Sequence, residues 1–120
     1  MAKAYRFPAG EIFQFFSDNT YNGVLAATTE QTLTVPNVIG VGSDLLSQKE
    51  IIAVITINNA ASNVFASVNR TVAVPVGAIG AAAGEIVPLK GLIKTVKVGD
   101  VIHIISSAGN TYVSIAFYQG

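Results

Sequence analysis

The segment Thr111 to Tyr118, TYVSIAFY, alternates strictly between two kinds of residue. Large apolar residues occupy every second position: Val113, Ile115 and Phe117. The intervening positions carry Tyr112, Ser114, Ala116 and Tyr118. Because successive side chains of a β-strand point to opposite faces, this alternation predicts a strand with one face in an apolar core.

Similar patterns recur upstream, separated by turn residues such as Gly99-Asp100. They predict strands over 11–16, 23–27, 31–35, 50–58, 62–69, 70–74, 91–98 and 101–106. The turn-like segment 58–61 predicts a hairpin between its two flanking strands. The glycine-rich segment 76–84 predicts a long irregular connection, with a buried helical turn as the alternative. Turn signals every 8 to 12 residues, roughly, are typical of sandwiches and barrels. We therefore predict an all-β fold, an antiparallel β-sandwich of jelly-roll-like form with about eight strands.

The composition fits one domain with an unusually uncharged surface. The chain has 120 residues, of which 51% are hydrophobic and 12% charged, whereas soluble domains average about 25% charged residues. We assign residues 11–120 to the sandwich and residues 1–10 to an N-terminal arm. The formal net charge is zero, so copies of the chain repel one another little. These features predict a homo-oligomer that uses part of its surface for protein contacts.

Several classes of function are excluded or disfavoured by what the sequence contains. Nucleic-acid binding needs clustered cations, but the seven basic residues are balanced by seven acidic ones, and only Lys90, Lys94 and Lys97 come close together. There is no cysteine, which excludes disulfides and thiolate metal sites. No apolar run is long enough for a membrane span, and the first residues do not resemble a secretory signal. We expect neither a nucleic-acid nor a membrane partner.

The sequence offers little material for catalysis. His103 is the only histidine, and its neighbours Val101, Ile102, Ile104 and Ile105 indicate a structural position on a strand. A cupin-type metal site needs several imidazoles, and a serine triad needs a histidine beside a nucleophile elbow, which is missing. The acidic residues are isolated in sequence, although two could meet in space as a glycosidase pair. We predict a non-enzymatic protein that needs no metal or cofactor.

Tyrosines are the remaining candidates for recognition, since the chain has no tryptophan. Tyr112 and Tyr118 would lie on one face of the last strand, about 20 Å apart at the usual rise per residue. They are too distant to stack on one sugar ring. Interface packing, core packing and a ligand platform all remain open for them.

Three segments carry a resemblance to a known class of proteins: Glu30 to Pro36, Leu92 to Ile102 and Tyr112 to Tyr118. They resemble small β-sandwich virion proteins of tailed bacteriophages, most closely the capsid decoration, or cement, proteins. The resemblance implies a jelly-roll-like protein, often a trimer, that clamps adjacent subunits of the major capsid protein. It also implies synthesis in the host cytoplasm and a final location on the capsid surface of the virion.

The arm contains the densest mixture of basic and aromatic residues in the chain: Lys3, Tyr5, Arg6 and Phe7. Arginine and tyrosine are frequent interface anchors, so the arm is predicted to lie on a neighbouring subunit, with a frayed terminus as the alternative. Two rival functions remain. One is a carbohydrate- or receptor-binding module of a virion tail or fibre, and the other is a small hydrolase on a sandwich scaffold.

Overall fold

A computed structural model describes residues 4–6, 12–14, 19–37, 50–58, 62–80 and 84–119. In these residues the chain forms ten strands. Their bounds are β1 (Ala4–Arg6), β2 (Ile12–Gln14), β3 (Asn19–Leu25), β4 (Gln31–Thr34), β5 (Ile51–Ile57), β6 (Val64–Val68), β7 (Glu85–Ile86), β8 (Leu92–Val96), β9 (Val101–Ser106) and β10 (Thr111–Gln119).

Eight of the strands form two antiparallel sheets. Sheet I has the order β3-β10-β5-β8, and sheet II has the order β4-β9-β6-β7. The pairing is nested, because β3 pairs with β10, β4 with β9, β5 with β8, and β6 with β7. Two further pairs, β5 with β10 and β6 with β9, join these units into complete sheets. In this nested pattern the first sandwich strand pairs with the last, the second with the second-last, and so on inwards along the chain. The two sheets confirm the predicted antiparallel β-sandwich.

The core lies between the sheets and follows the alternation of the strands. Val113, Ile115 and Phe117 of β10 are buried in one cluster with inward-facing residues of both sheets, as the opening alternation predicted. Ile51, Ala53 and Ile55 of β5 join them from the centre of sheet I, and Val64 and Ala66 of β6, with Ile102 and Ile104 of β9, contribute from sheet II. β-branched residues predominate because they pack well on a pleated surface.

The turn predicted at Gly99-Asp100 carries the chain from sheet I to sheet II. The N–H of Asp100 donates to the carbonyl of Lys97 at 3.1 Å, and Gly99 has a φ of 90°. Those features define a type II turn, whose third residue needs a positive φ and therefore favours glycine. The Asp100 carboxylate accepts the Lys97 N–H at 3.0 Å and closes the same turn.

Two local predictions were wrong. The predicted hairpin between 50–58 and 62–69 does not form, since β5 lies in sheet I and β6 in sheet II. Turn composition marks where a chain reverses, but the apolar residues of β5 are satisfied by pairing with β10 and β8 instead. The predicted strand 70–74 is irregular. Asn69 at a φ of 60° ends β6, and the N–H of Val72 is bound by a side chain rather than by a ladder.

The N-terminal strands also differ from the prediction. Ala4–Arg6 forms a strand where none was predicted, and it pairs antiparallel with β2 in a separate two-stranded sheet. The predicted strand 11–16 therefore contributes Ile12–Gln14 to this pair and to neither sandwich sheet. Tyr5 and Arg6 of the predicted arm lie in β1, whereas Lys3 and Phe7 lie outside the described residues.

Candidate interaction surface

The outer face of sheet I carries no charged residue on its four strands. The register places the following side chains on this face: Thr20, Asn22 and Val24 of β3; Tyr112, Ser114, Ala116 and Tyr118 of β10; Ile52, Val54 and Thr56 of β5; Ile93 and Thr95 of β8. Three large hydrophobic residues of this face are exposed: Val24 at 46%, Ile93 at 41% and Tyr112 at 58%. The face thus offers apolar, hydroxyl and amide groups to a partner.

The two candidate tyrosines of β10 have different environments. Tyr112 is exposed, whereas Tyr118 is 5% exposed and burial raises the pKa of its hydroxyl. They share one face, as predicted, but of the two only Tyr112 is exposed within the described chain. Tyr118 is buried on the outer face, outside the main core cluster, and the interface interpretation stays a prediction for both residues.

A shallow groove of about 460 Å³ runs beside Tyr112. Asn22, Gly23, Thr56 and Asn58 lie along it. The Asn58 side-chain oxygen accepts the Tyr112 N–H at 3.1 Å, which fixes the amide beside the ring. An aromatic ring beside neutral amide and hydroxyl groups suits an uncharged polar ligand.

The outer face of sheet II is partly covered by its own chain. The segment 70–76, which we term the strap, follows β6 and brings Val72 to 3% exposure. A Cβ at Gly84 would come within 2.6 Å of Val72 Cγ2 and 3.5 Å of Phe65 Cβ, so these three residues are closely packed. Phe65 faces Ile105 across the ladder, and Ile105 is itself 5% exposed although it points away from the main core.

Polar contacts of Glu30 hold the strap in place. Glu30 Oε2 accepts the N–H of Val72 at 2.8 Å. The buried Nδ1 of His103 lies 3.3 Å from Glu30 Oε1, as an electrostatic contact without hydrogen-bond alignment. The Val72 hydrogen bond lowers the pKa of Glu30 below its ordinary value, and His103 lowers it further against the opposing effect of desolvation. The arrangement gives His103 the structural position that its sequence neighbours predicted.

Asn69 ties the start of the strap to the turn between the sheets. Its Nδ2 donates to Asp100 Oδ1 at 3.1 Å, and its Oδ1 accepts the Val101 N–H at 2.8 Å. Three of the four described carboxylates have separate partners: Glu30 binds the strap, Asp100 binds the turn and Asn69, and Glu85 pairs with Lys94. The fourth, Glu50, is exposed immediately before β5. Glu11, Asp18 and Asp44 lie outside the described residues. Within the described ranges, no group of three or more His, Asp or Glu residues could hold a metal ion.

The β10 members of the sheet I outer face, Tyr112 and Tyr118 among them, could be predicted from the alternation of that strand. The members on β3, β5 and β8 were missed, because they share a face with β10 only through strand pairing that the sequence does not show.

No described helix is long and apolar enough to cross a membrane. Comparison of the chain with family models, with curated proteins and with solved structures gives no match.

Proposed function

We propose that this protein is a structural subunit of a larger protein assembly and attaches to it through the outer face of sheet I. The observation that carries the proposal is an uncharged face that the described chain leaves open: all twelve outward positions of sheet I lack charge, whereas the outer face of sheet II, equally free of Asp, Glu, Lys and Arg, is partly covered by the strap. An unpaired charge buried on association costs several kcal/mol, roughly, so interface centres are depleted in charge. Exposed Val24, Ile93 and Tyr112 supply apolar area in the same place.

The assembly that fits best is a tailed-bacteriophage capsid, with the major capsid protein as partner. The sequence resemblance to decoration proteins supports this, and the nested strand pairing supports the jelly-roll form that the resemblance implies. Fold alone does not determine function, so the attachment surface is the stronger support. In this proposal the chain is a homo-oligomer, a trimer, located on the virion surface.

Binding to shells tests the proposal directly. Purified protein is mixed with undecorated capsids assembled from the major capsid protein of the same virus. Co-sedimentation and a higher temperature of shell rupture are expected, together with a native mass three times that of the 12.5 kDa chain. Absence of binding at micromolar concentration would reject the capsid role.

The N-terminal arm is proposed to contribute to this grip. Deleting residues 2–10 removes β1 and leaves β2 without its partner, but all eight sandwich strands remain. The truncated protein should therefore melt as one cooperative unit while binding shells more weakly. Attachment should change only modestly between low and high salt, because the chain has no net charge. Equal binding by the intact and truncated proteins would show that the arm is dispensable.

A second candidate function is supported by the groove beside Tyr112. A ring flanked by Asn22, Asn58 and Thr56 could bind a neutral sugar, as in a carbohydrate- or receptor-binding module of a tail or fibre. A glycan array distinguishes the two functions. Binding that is lost in Tyr112→Ala, in a protein that ignores capsids, would place the receptor role first.

A further inference from the structure

A cavity of about 390 Å³ lies between the two sheets, where sheet I ends at β8 and sheet II ends at the short β7. Its walls are apolar, with Ala53 and Ile55 on sheet I and Ala66 and Ile102 on sheet II. Protein interiors are normally filled to crystal-like density. A gap of this volume falls within the range of small-molecule sites, about 300–1,000 Å³.

The cavity exists because two small residues occupy central, inward-facing positions. Ala53 is 0% exposed between Ile51 and Ile55, and Ala66 is 5% exposed in the opposing sheet. Strands built from Ile and Val would close this space if either alanine were large. An apolar site of this kind hydrates poorly and favours hydrocarbon.

The rim of the cavity carries two charged residues, Lys94 and Glu85, at strand positions that face the space between the sheets. Lys94 alternates with Leu92 and Val96, and it faces Ala53 across the ladder. Glu85 faces Ala66 in the same way on sheet II. The two charged side chains meet as a salt bridge across the gap between the sheets.

Arg70, at the start of the strap, also lines the rim, so two cations face one carboxylate. The Lys94–Glu85 pair is 43% and 58% exposed, and an ion pair so accessible to water stabilises a fold little. One explanation without a ligand is that an inward-pointing charge protects an edge strand from pairing with other chains. That explanation accounts for Lys94, but not for the empty apolar volume behind it.

We propose that this cavity binds a small amphipathic carboxylate. The hydrocarbon body lies between Ala53 and Ala66, and the carboxylate replaces Glu85 as the partner of Lys94, with Arg70 beside it. The inference is independent of the proposed capsid role, because the site opens at the edge of the sandwich and not on the outer face of sheet I.

Three eight-carbon probes separate the hydrocarbon contribution from the charge contribution: octanoate, 1-octanol and octylammonium. Calorimetric titration or amide chemical shifts of the full chain would measure their affinities. Octanoate should bind most tightly, at least tenfold better than octylammonium, with octanol between them. Equal affinities, or no binding of octanoate, would overturn the proposal.

Variants of the rim test the role of each charge. Lys94→Met keeps the alkyl stem and should lower octanoate affinity about tenfold while leaving octanol unchanged. Glu85→Gln removes the competing carboxylate and should tighten octanoate binding several-fold. Lys97→Met is the matched control, because Lys97 is exposed and does not line the cavity. If Lys94→Met bound octanoate as well as Lys97→Met does, the lysine would protect the edge only and the ligand site would be rejected.

Filling the cavity provides a test that does not depend on charge. Ala53→Leu or Ala66→Leu should abolish the binding of octanoate and octanol alike. Cooperative melting of the variant would show that the sheets still pack. Undiminished octanoate binding in either folded variant would place the ligand elsewhere and contradict the proposal.

Discussion

The outer faces of the two sheets are built from similar strands but differ in how far the chain covers them, although Ile86 at the edge of sheet II is also exposed. Sheet I leaves Val24, Ile93 and Tyr112 exposed. Sheet II has Val72 of the strap packed at Phe65, with Glu30 binding the Val72 N–H. The difference arises in the connections, because the segment after β6 returns over its own sheet. The comparison indicates that sheet II uses part of its outer face for folding, whereas Val24, Ile93 and Tyr112 of sheet I stay exposed within this chain; we propose that a partner covers them.

The largest expected contrast is between two valines on the two outer faces. Val72→Ala should lower the free energy of unfolding by about 2 kcal/mol, since it removes buried methyl groups and leaves a gap beside Phe65. Val24→Ala, on the exposed face of sheet I, should change it by less than about 0.5 kcal/mol. Urea unfolding of both variants measures the difference. Equal losses would mean that the strap does not distinguish the faces.

A smaller effect is expected at His103. His103→Ala should destabilise the fold by about 1–2 kcal/mol, because it removes a mostly buried side chain that lies against Glu30. Thr32→Ala is the control, since Thr32 is the exposed cross-strand neighbour of His103 on β4. Attachment to capsids should survive in both variants. Loss of attachment in a stable His103→Ala protein would move the binding surface to sheet II.

The smallest effect concerns pH. Folding lowers the pKa of Glu30 below the ordinary value of 4.5, so the folded chain binds this proton less readily than the unfolded chain. The stability that Glu30 contributes is therefore present above about pH 4.5 and is lost as the pH falls through the lower folded pKa. Melting of the wild type and of Glu30→Gln should differ near neutral pH and converge on acidification. A gap that widens towards low pH would contradict this sign.

The sandwich itself could be predicted because it depends on alternation within each strand. β10 and β9 matched their predicted bounds closely, and the inward positions of β10 were correct. Strand partners could not be predicted from composition, since β5 and β6 are adjacent in sequence but lie in different sheets. The strap does not form the predicted strand 70–74, because the Val72 N–H is bound by the Glu30 side chain, far upstream in the sequence.

The surfaces were less predictable than the fold. Tyr112 could be singled out by residue type, but the uncharged face around it depends on the register of four strands. The cavity was missed for a similar reason. Ala53 and Ala66 are ordinary strand residues in the sequence, and they become a site only when the two sheets bring them together.

The central claim is that the protein attaches to its assembly through the outer face of sheet I. Placing a charge on each outer face in turn, and measuring attachment, tests it most directly. Tyr112→Lys and Val24→Lys put a cation on the outer face of sheet I, and Thr32→Lys and Thr34→Lys put one on exposed positions of sheet II. Binding to undecorated capsids is measured for all four, after melting curves show that each is folded. The sheet I variants should bind at least tenfold more weakly than the wild type, with both sheet II variants unchanged. Equal binding by all four, or loss confined to the sheet II variants, would contradict the assignment of sheet I as the attachment surface.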